Sequence, residues 1–181
     1  SKNRKLNIEN LDKKIKNEII YLRNIEESDE IKKRIKIAQE ILIIGGGFIG
    51  LEVASSASQL GKKVTIVEMG TQLMGRVIPK EIANMIQSVH EKNGNTVYLD
   101  TIIKKITKNN DSLEVLLNSD TSLFVDLIIV GIGSSPDTSL FAESSLEINN
   151  GIITNEFSQT SIPDVFSSGD VSNFFHPIYG T

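Results

Sequence analysis

The sequence contains no cysteine and only two histidines, His90 and His176. The lack of cysteine excludes a disulfide scaffold, a thiolate metal site and a redox dithiol within these 181 residues. The two histidines are too few and too far apart in the chain to indicate a metal centre, so we assign no metal ligand. His90 falls within a predicted helix, and we expect it on the surface of that helix.

Long apolar stretches and an excess of positive charge are also missing. No apolar run approaches the roughly 20 residues of a membrane span, and the N-terminal segment lacks the apolar stretch of a signal peptide. Hydrophobic residues make up 39%, charged residues 23%, and the net charge is -4, which is ordinary for a globular protein and does not favour nucleic-acid binding. We therefore expect a cytoplasmic protein with no nucleic-acid or membrane partner.

Short apolar runs alternate with helical patterns along the chain. A run that is apolar throughout is typical of a strand buried on both faces, as in a parallel sheet. Strands are predicted at 41–44, 63–68, 96–99 and 127–130, and helices near 27–39, 48–60 and 80–92. This alternation predicts an α/β fold, a Rossmann-like doubly wound parallel sheet.

Two further segments have a different character. Residues 102–125 read as three short antiparallel strands, with turns at 109–111 and 118–120, so we expect a β-meander inserted in the α/β fold. Residues 1–10 are polar and are predicted to be irregular.

The glycine-rich segment GGGFIG (45–50) fits the pattern G-x-G-x-x-G between a predicted strand and a predicted helix. In this context Gly45 permits the tight turn, Gly47 allows the backbone to approach a pyrophosphate, and Gly50 lets the helix lie close to the strand. The helix N-terminus offers N–H groups and a partial positive charge to phosphates. The segment therefore predicts a dinucleotide site, with Phe48 contributing to packing.

An acidic residue stands where such a site needs one. Glu68 ends the second strand, eighteen positions after Gly50, and no Arg or Lys occurs in the next seven residues. A carboxylate there accepts hydrogen bonds from the adenosine ribose and repels a 2′-phosphate, which favours NAD(H) over NADP(H). By itself, Glu68 could be a solvated charge at a strand end.

A second pair of glycines, in Gly131-Ile132-Gly133, follows the apolar run at 127–130. Ligands bind at the carboxyl ends of strands in doubly wound sheets, so this segment could line the nicotinamide half of the site. It could equally be an ordinary tight turn.

Several segments together resemble the FAD- and NAD-dependent pyridine nucleotide-disulfide oxidoreductases, and especially their ferredoxin and rubredoxin reductase branch. The matching segments, in order, are YLRNIEESDEI (21–31), ILIIGGGFIGLEVA (41–54), VTIVE (64–68), LMGRVIP (73–79), IIVGIGSSPD (128–137) and TSIPDVFSSGDV (160–171). The resemblance implies that 21–148 form an NAD(H)-binding domain. It also implies that 1–20 are a remnant of a preceding FAD domain and that 149–181 return toward that domain.

The resemblance also implies roles for single residues. Gly45, Gly47, Ile49 and Gly50 would contact the NAD pyrophosphate, and Glu68 would hold the adenosine ribose. Gly131, Ile132 and Gly133 would line the nicotinamide pocket.

Three charged residues have one implied role and one alternative each. Glu52 would lie near the nicotinamide amide and the flavin, although it could be a solvated helix residue. Arg76 would lie on the adenosine phosphate side, although it could be a surface cation. Asp170 would bond the ribityl chain of FAD, although it could instead cap a helix before Val171.

The implied reaction is hydride transfer from NADH to FAD, followed by electron transfer to a ferredoxin- or rubredoxin-type acceptor. This chain would bind and orient NADH without supplying an acid, base or nucleophile, and alone it would be inactive. Other branches of the family remain open: an NADH oxidase, a coenzyme A-disulfide reductase or a nitrite reductase. Two alternative hypotheses lie outside the family: a non-catalytic NAD-sensing Rossmann module and a simple dehydrogenase.

Overall fold

The computed structural model describes residues 1–8, 11–75, 77–109, 112–178 and 180. The chain divides into a large unit, Lys5–Gly133, and a small unit, Ser1–Arg4 with Ser134–Thr181. The helices are α1 (Lys13–Lys16), α2 (Ile25–Ile37), α3 (Phe48–Gln59) and α4 (Lys80–Lys92), with 3-10 turns at Ser139–Phe141 and Gly169–Val171. The strands are β1 (Lys2–Asn3), β2 (Ile19–Tyr21), β3 (Glu40–Ile44), β4 (Lys63–Val67), β5 (Thr96–Tyr98), β6 (Ile103–Asn109), β7 (Ser112–Leu117), β8 (Ser122–Val125), β9 (Leu127–Val130), β10 (Ser134–Ser135), β11 (Ile152–Ile153) and β12 (Ser172–Asn173).

A five-stranded sheet forms the centre of the large unit, in the order β2-β9-β3-β4-β5. Every neighbouring pair in this sheet is parallel. The chain runs outward from β3 through β4 to β5 and then returns to the other side of β3 as β9. The strand order therefore reverses between β3 and β9, which defines a topological switch point.

Apolar side chains cover both faces of this sheet, which explains why its central strands are apolar at every position. Ile41 and Ile43 of β3 pack in one buried cluster with side chains of α2 and α3. Leu42 and Ile44 belong to a second cluster, which includes α1 and strands β6 to β8. Burying a side chain of this size stabilises the fold by about 1.5–3 kcal/mol.

The strands β6, β7 and β8 form a separate antiparallel sheet, as the sequence predicts. In β7, alternate residues are buried, so one face of the meander packs on the parallel sheet. The Asp126 carboxylate accepts hydrogen bonds at 2.9 Å from the backbone N–H groups of Gln39 and Glu40, which joins the end of the meander to the start of β3. The predicted turn at 118–120 is present, whereas 110 and 111 lie outside the described residues.

The helices match their predicted spans closely, but one expectation about α4 is wrong. Asn24 caps α2 by accepting a hydrogen bond from Glu27 N–H, and Gly61, with φ of +75°, follows the end of α3. His90, expected on the surface, is buried, with 9% of its surface exposed. Its Nδ1 lies 3.0 Å from Nδ2 of the buried Asn95, and burial lowers its pKa.

The small unit consists of two short sheets and connecting loops. β1 pairs antiparallel with β10, so the expectation that residues 1–10 are irregular is wrong for Lys2–Asn3. The strands β11 and β12 pair in parallel. The domain limits predicted from the sequence, 1–20, 21–148 and 149–181, stay a prediction. None of the helices in the described part of the chain is long and apolar enough to cross a membrane.

Candidate functional site

The glycine-rich turn lies at the switch point of the parallel sheet. Gly45 follows β3 and donates its N–H to the Val67 carbonyl of β4 at 2.8 Å. Gly131 follows β9 and donates its N–H to the Ile44 carbonyl of β3, also at 2.8 Å. The two glycine segments predicted from the sequence therefore meet at the carboxyl edge of adjacent strands, where open α/β sheets bind their ligands.

Close packing of the backbone requires glycine at two positions of this turn. Gly45 has φ of +106°, and a Cβ there would lie 2.5 Å from the Gly131 carbonyl oxygen. A Cβ at Gly50 would lie 2.1 Å from the Gly45 carbonyl oxygen. Both distances are too short for any side chain, so these glycines allow α3, β3 and β9 to approach one another.

Gly47, in contrast, is not required by the packing of the protein. It is the N-cap of α3, with an extended backbone at φ −86° and ψ −175°. A Cβ there would have one neighbour within the usual contact range, the Gly131 carbonyl oxygen at 4.0 Å. The first N–H groups of α3 lack partners within the helix, so this turn combines open space with hydrogen-bond donors and the positive end of a helix dipole.

The Glu68 carboxylate lies beside this turn, held by two backbone groups. Its Oε2 accepts a hydrogen bond from Gly46 N–H at 2.6 Å, and its Oε1 accepts one from Gly70 N–H at 2.7 Å. Glu68 is half-buried, and each carboxylate oxygen can accept more than one hydrogen bond. The carboxylate therefore has a fixed orientation and keeps acceptor capacity for a ligand.

A loop after β4 completes this edge of the site, and its contacts were not predicted from the sequence. Leu73 is fully buried, and its Cδ2 occupies the space where a Cβ of Gly46 would lie. The N–H of Met74 donates to the Gly46 carbonyl at 2.9 Å. The middle glycine of the GGG run, Gly46, was the available sequence signal, because the fingerprint itself does not require glycine at that position.

Three predicted residues of α3 lie at or near its exposed N-terminal end. Phe48 is 58% exposed, so the expectation that it serves packing is wrong, and Ile49 is 37% exposed. Glu52 is exposed in the next turn of the helix. These side chains lie outside the protein core and are accessible to a ligand at the turn.

The segment after β9 contains Gly131, which contacts the glycine-rich turn, followed by Ile132 and Gly133. Ile132 is half-buried, and Gly133 is exposed with φ of +90° and no neighbouring atom that a Cβ would meet. Gly131 has a structural role, because it packs against the backbone of Gly50. Arg76, expected on the adenosine phosphate side, lies outside the described residues.

Asp170 belongs to the small unit and is described within that unit alone. It lies in the 3-10 turn Gly169–Val171, whose N-cap is Ser168, so the alternative that Asp170 caps a helix is wrong. Asp170 is exposed and lines an open cavity of about 360 Å³. Arg4, Asn150 and Asn173 line the same cavity, so its wall is polar.

The chain is similar to known proteins over nearly its whole length. A family model described as pyridine nucleotide-disulphide oxidoreductase matches residues 1–179. A rubredoxin-NAD(+) reductase from Ectopseudomonas oleovorans is 34% identical over 164 residues, which are 90% of this chain and 43% of that protein. The ferredoxin-NAD(+) reductase component of a 3-phenylpropionate/cinnamic acid dioxygenase from Photorhabdus laumondii is 35% identical over 162 residues, covering 90% of this chain and 41% of that one.

Solved structures give the same similarity at the level of the fold. A ferredoxin reductase from Rhodopseudomonas palustris superposes with a TM-score of 0.90 and 30% identity, covering 99% of this chain and 44% of that chain. The Rossmann-like α/β class predicted from the sequence is thereby confirmed. The chain spans about two fifths of the length of the curated relatives named here.

Proposed function

Because this chain belongs to the pyridine nucleotide-disulphide oxidoreductase family, we propose that its large unit binds NAD(H) within a flavin-dependent reductase. Membership, together with the NAD(+)-dependent relatives, implies FAD and NAD(H) as the cofactors. In the proposed reaction NADH gives a hydride to FAD, and electrons then pass to a ferredoxin- or rubredoxin-type acceptor.

The space at Gly47 is the observation that carries the proposal. Neither the backbone conformation nor any neighbouring atom of the protein requires glycine there. An open surface at a helix N-terminus, beside a carboxylate, suits a pyrophosphate that continues into a ribose. In this proposal Gly45 and Gly50 shape the turn, while Gly47 and the N–H groups that follow it, including that of Ile49, contact the pyrophosphate.

Glu68 is assigned to the adenosine ribose and to the choice of NAD(H) over NADP(H). Its two backbone donors hold the carboxylate at the turn, with acceptor capacity remaining for the ribose hydroxyls. A 2′-phosphate at the same place would bring two negative charges together in a half-buried site, which is unfavourable. Arg76 stays a prediction for the adenosine phosphate side.

The nicotinamide end is assigned to the segment after β9 and to the exposed end of α3. Gly131, Ile132 and Gly133 would form one wall of this pocket. Glu52 would approach the carboxamide. The exposed ring of Phe48 would add an apolar surface for the nicotinamide, a role that was not predicted from the sequence.

The small unit contains groups that fit part of FAD. The cavity beside Asp170 has a carboxylate that can accept hydrogen bonds and a guanidinium and amides that can donate them. This set suits the hydroxyl groups of a ribityl chain, and Asp170 would hold them. When bound, FAD supplies the exchange between a two-electron hydride donor and one-electron acceptors.

The residues of this chain would therefore bind and orient the nucleotide rather than exchange protons with it. Hydride transfer requires the nicotinamide ring to be held in one position, and the rigid turn at the switch point provides such a support. We assign no acid, base or nucleophile. We expect the chain alone to bind NADH and to lack turnover. The domain limits 1–20, 21–148 and 149–181 stay a prediction for the longer protein, and the first of them falls inside β2 of the parallel sheet.

A titration of the purified chain with NADH and with NADPH, followed by calorimetry, tests the proposal. We expect measurable binding of NADH and much weaker binding of NADPH. Glu68→Ala should weaken NADH binding by about tenfold or more, because hydrogen bonds to a charged group are lost, and should reduce the preference over NADPH. If the native chain binds neither nucleotide, the proposal fails; unchanged affinities in Glu68→Ala would remove Glu68 from it.

A further inference from the structure

Gly46, the middle residue of the GGG run, is held by three contacts. Its N–H donates to Glu68 Oε2 at 2.6 Å, and its carbonyl accepts from Met74 N–H at 2.9 Å. The third contact is on its side-chain position, where a Cβ would lie 2.5 Å from Leu73 Cδ2. The peptide of Gly46 therefore connects the pyrophosphate turn both to the Glu68 carboxylate and to the loop after β4.

Glycine at position 46 is explained by its neighbours and not by the backbone or by the motif. Leu73 Cδ2 is the nearest atom to a Cβ there, and Glu68 Cβ and Oε2 follow, each at 3.2 Å. The dinucleotide fingerprint accepts any residue at this place. Gly45 has a positive φ, in the left-handed region, whereas Gly46 does not. The backbone conformation at position 46 therefore does not itself exclude alanine. Leu73 is fully buried in the core cluster on the helical side of the sheet, so it cannot move aside freely.

The backbone of Met74 indicates that this loop is held in one conformation. Met74 has φ of +52°, a region that bulky side chains rarely adopt, and it is 8% exposed. Such a strained conformation persists only where surrounding contacts determine it. Here those contacts include burial of the side chain and the hydrogen bond from Met74 N–H to the Gly46 carbonyl.

We propose that Leu73 and Met74 form a brace that fixes the Gly46 peptide and, through it, aims the Glu68 carboxylate at the adenosine ribose. Leu73 is then a positioning residue for NADH and for its selection over NADPH, although it need not touch either nucleotide. This inference rests on the proposed function.

Gly46→Ala is the first variant for the test, with NADH and NADPH titrated separately. The new methyl group displaces Leu73 or the turn, and the Glu68 carboxylate loses its donor or its orientation. NADH affinity should fall by about tenfold, the effect expected for weakened hydrogen bonds to a charged group. NADPH affinity should fall less, so the ratio of the two affinities should decrease, which a general loss of stability would not produce.

Leu73→Val provides the rescue, because it removes the Cδ2 atom that the methyl group would meet. The double variant Gly46→Ala/Leu73→Val should regain NADH affinity and preference to within about threefold of Leu73→Val alone, as expected for two residues in direct contact. Leu117→Val is the matched control. Leu117 is also fully buried, but it lies in the meander, and its truncation should lower the melting temperature without rescuing Gly46→Ala.

The outcomes separate this inference from the proposed function. The brace is refuted if Gly46→Ala keeps the native affinities, or if Leu73→Val rescues it no better than Leu117→Val does. If Gly46→Ala does not fold, a folded NADH-binding double variant with Leu73→Val, but not with Leu117→Val, supports the brace. A native chain that binds no NADH overturns the proposed function and the brace together.

Discussion

Glycine has two separate purposes at the turn between β3 and α3. At Gly45 and Gly50 the protein's own atoms fill the space where a side chain would stand. At Gly47 that space is open and the backbone conformation is one that any residue adopts. The sequence motif requires glycine at all three positions, but only the open space at Gly47 indicates a ligand.

Gly47→Ala should therefore separate ligand binding from stability. An alanine fits this backbone without a clash, so we expect the free energy of unfolding to change by less than about 1 kcal/mol. NADH affinity should fall by at least about tenfold, because the methyl group occupies the position assigned to the pyrophosphate. Urea unfolding followed by circular dichroism and calorimetric titration with NADH measure the two quantities.

Gly50→Ala is the contrasting variant. Its methyl group would lie 2.1 Å from a backbone oxygen, so it should destabilise the large unit by about 1–3 kcal/mol or more. Equal loss of stability in both variants would show that Gly47 is structural. Retained NADH affinity in Gly47→Ala would place the pyrophosphate elsewhere.

The sequence predicts the positions of the glycines and of Glu68, because their spacing along one βαβ unit is local. It could not predict the contacts of Leu73 and Met74 with Gly46. Those contacts depend on how the loop after β4 folds back over the turn, and no short-range pattern specifies that path. The prediction that Phe48 serves packing was wrong for the same reason, since the exposure of Phe48 is set by the angle at which α3 leaves the turn.

At the scale of the element, α4 and the strand after it are joined by the buried pair His90 and Asn95. Burial lowers the pKa of His90, so the folded chain favours the neutral ring. Protonation puts a hydrogen on both ring nitrogens, so Nδ1 could no longer accept a hydrogen bond from Asn95 Nδ2.

This arrangement predicts lower stability in acid. Above the unfolded-state pKa of about 6.5, His90 is neutral in both the folded and the unfolded chain, so its contribution to the free energy of unfolding does not depend on pH. As the pH falls below that value, the unfolded chain gains a proton that the folded chain resists until its own, lower pKa is reached. Stability should decrease through this window with a slope of at most about 1.4 kcal/mol per pH unit from this residue.

His90→Gln, compared with His176→Gln, isolates the effect. The chain contains no tryptophan, so urea unfolding is best followed by far-UV circular dichroism from about pH 5 to 8. His90→Gln should have a flatter dependence on pH than the native chain, and His176→Gln, which removes the other histidine, is the control. Parallel curves for the native chain and His90→Gln would contradict the assignment.

The elements with strong local sequence signals were predicted to within a few residues. Elements without such signals were not predicted. The central strands are recognisable because both of their faces are buried, and α4 because Pro79 precedes it and Asn93-Gly94 follows. The pairing of Lys2–Asn3 with Ser134–Ser135 joins two polar dipeptides far apart in sequence. No periodicity can develop over two residues, so this sheet could not be inferred from the sequence.

At the scale of the whole molecule, the hydrophobic core is unevenly distributed between the two units. Both buried clusters lie within Lys5–Gly133. In the small unit Ile152 is buried, whereas several large apolar side chains are mostly exposed, including Leu140 at 91%, Phe175 at 71% and Ile178 at 79%. The large unit therefore has the apolar burial needed to fold independently, and the small unit has little of it.

Amide hydrogen exchange measured by mass spectrometry should reveal this difference in the chain alone. We expect slow exchange in β3, β4 and β9, whose backbone hydrogen bonds open only when the large unit unfolds, and fast exchange through Ser134–Thr181. Addition of NADH should slow exchange at 45–51 and 68–74 and leave the small unit unaffected, because the nucleotide is assigned to the large unit. Equal protection of both units in the free chain would show that Ser134–Thr181 is stabilised by more than its own buried residues, and the predicted difference in stability between the two units would then be rejected.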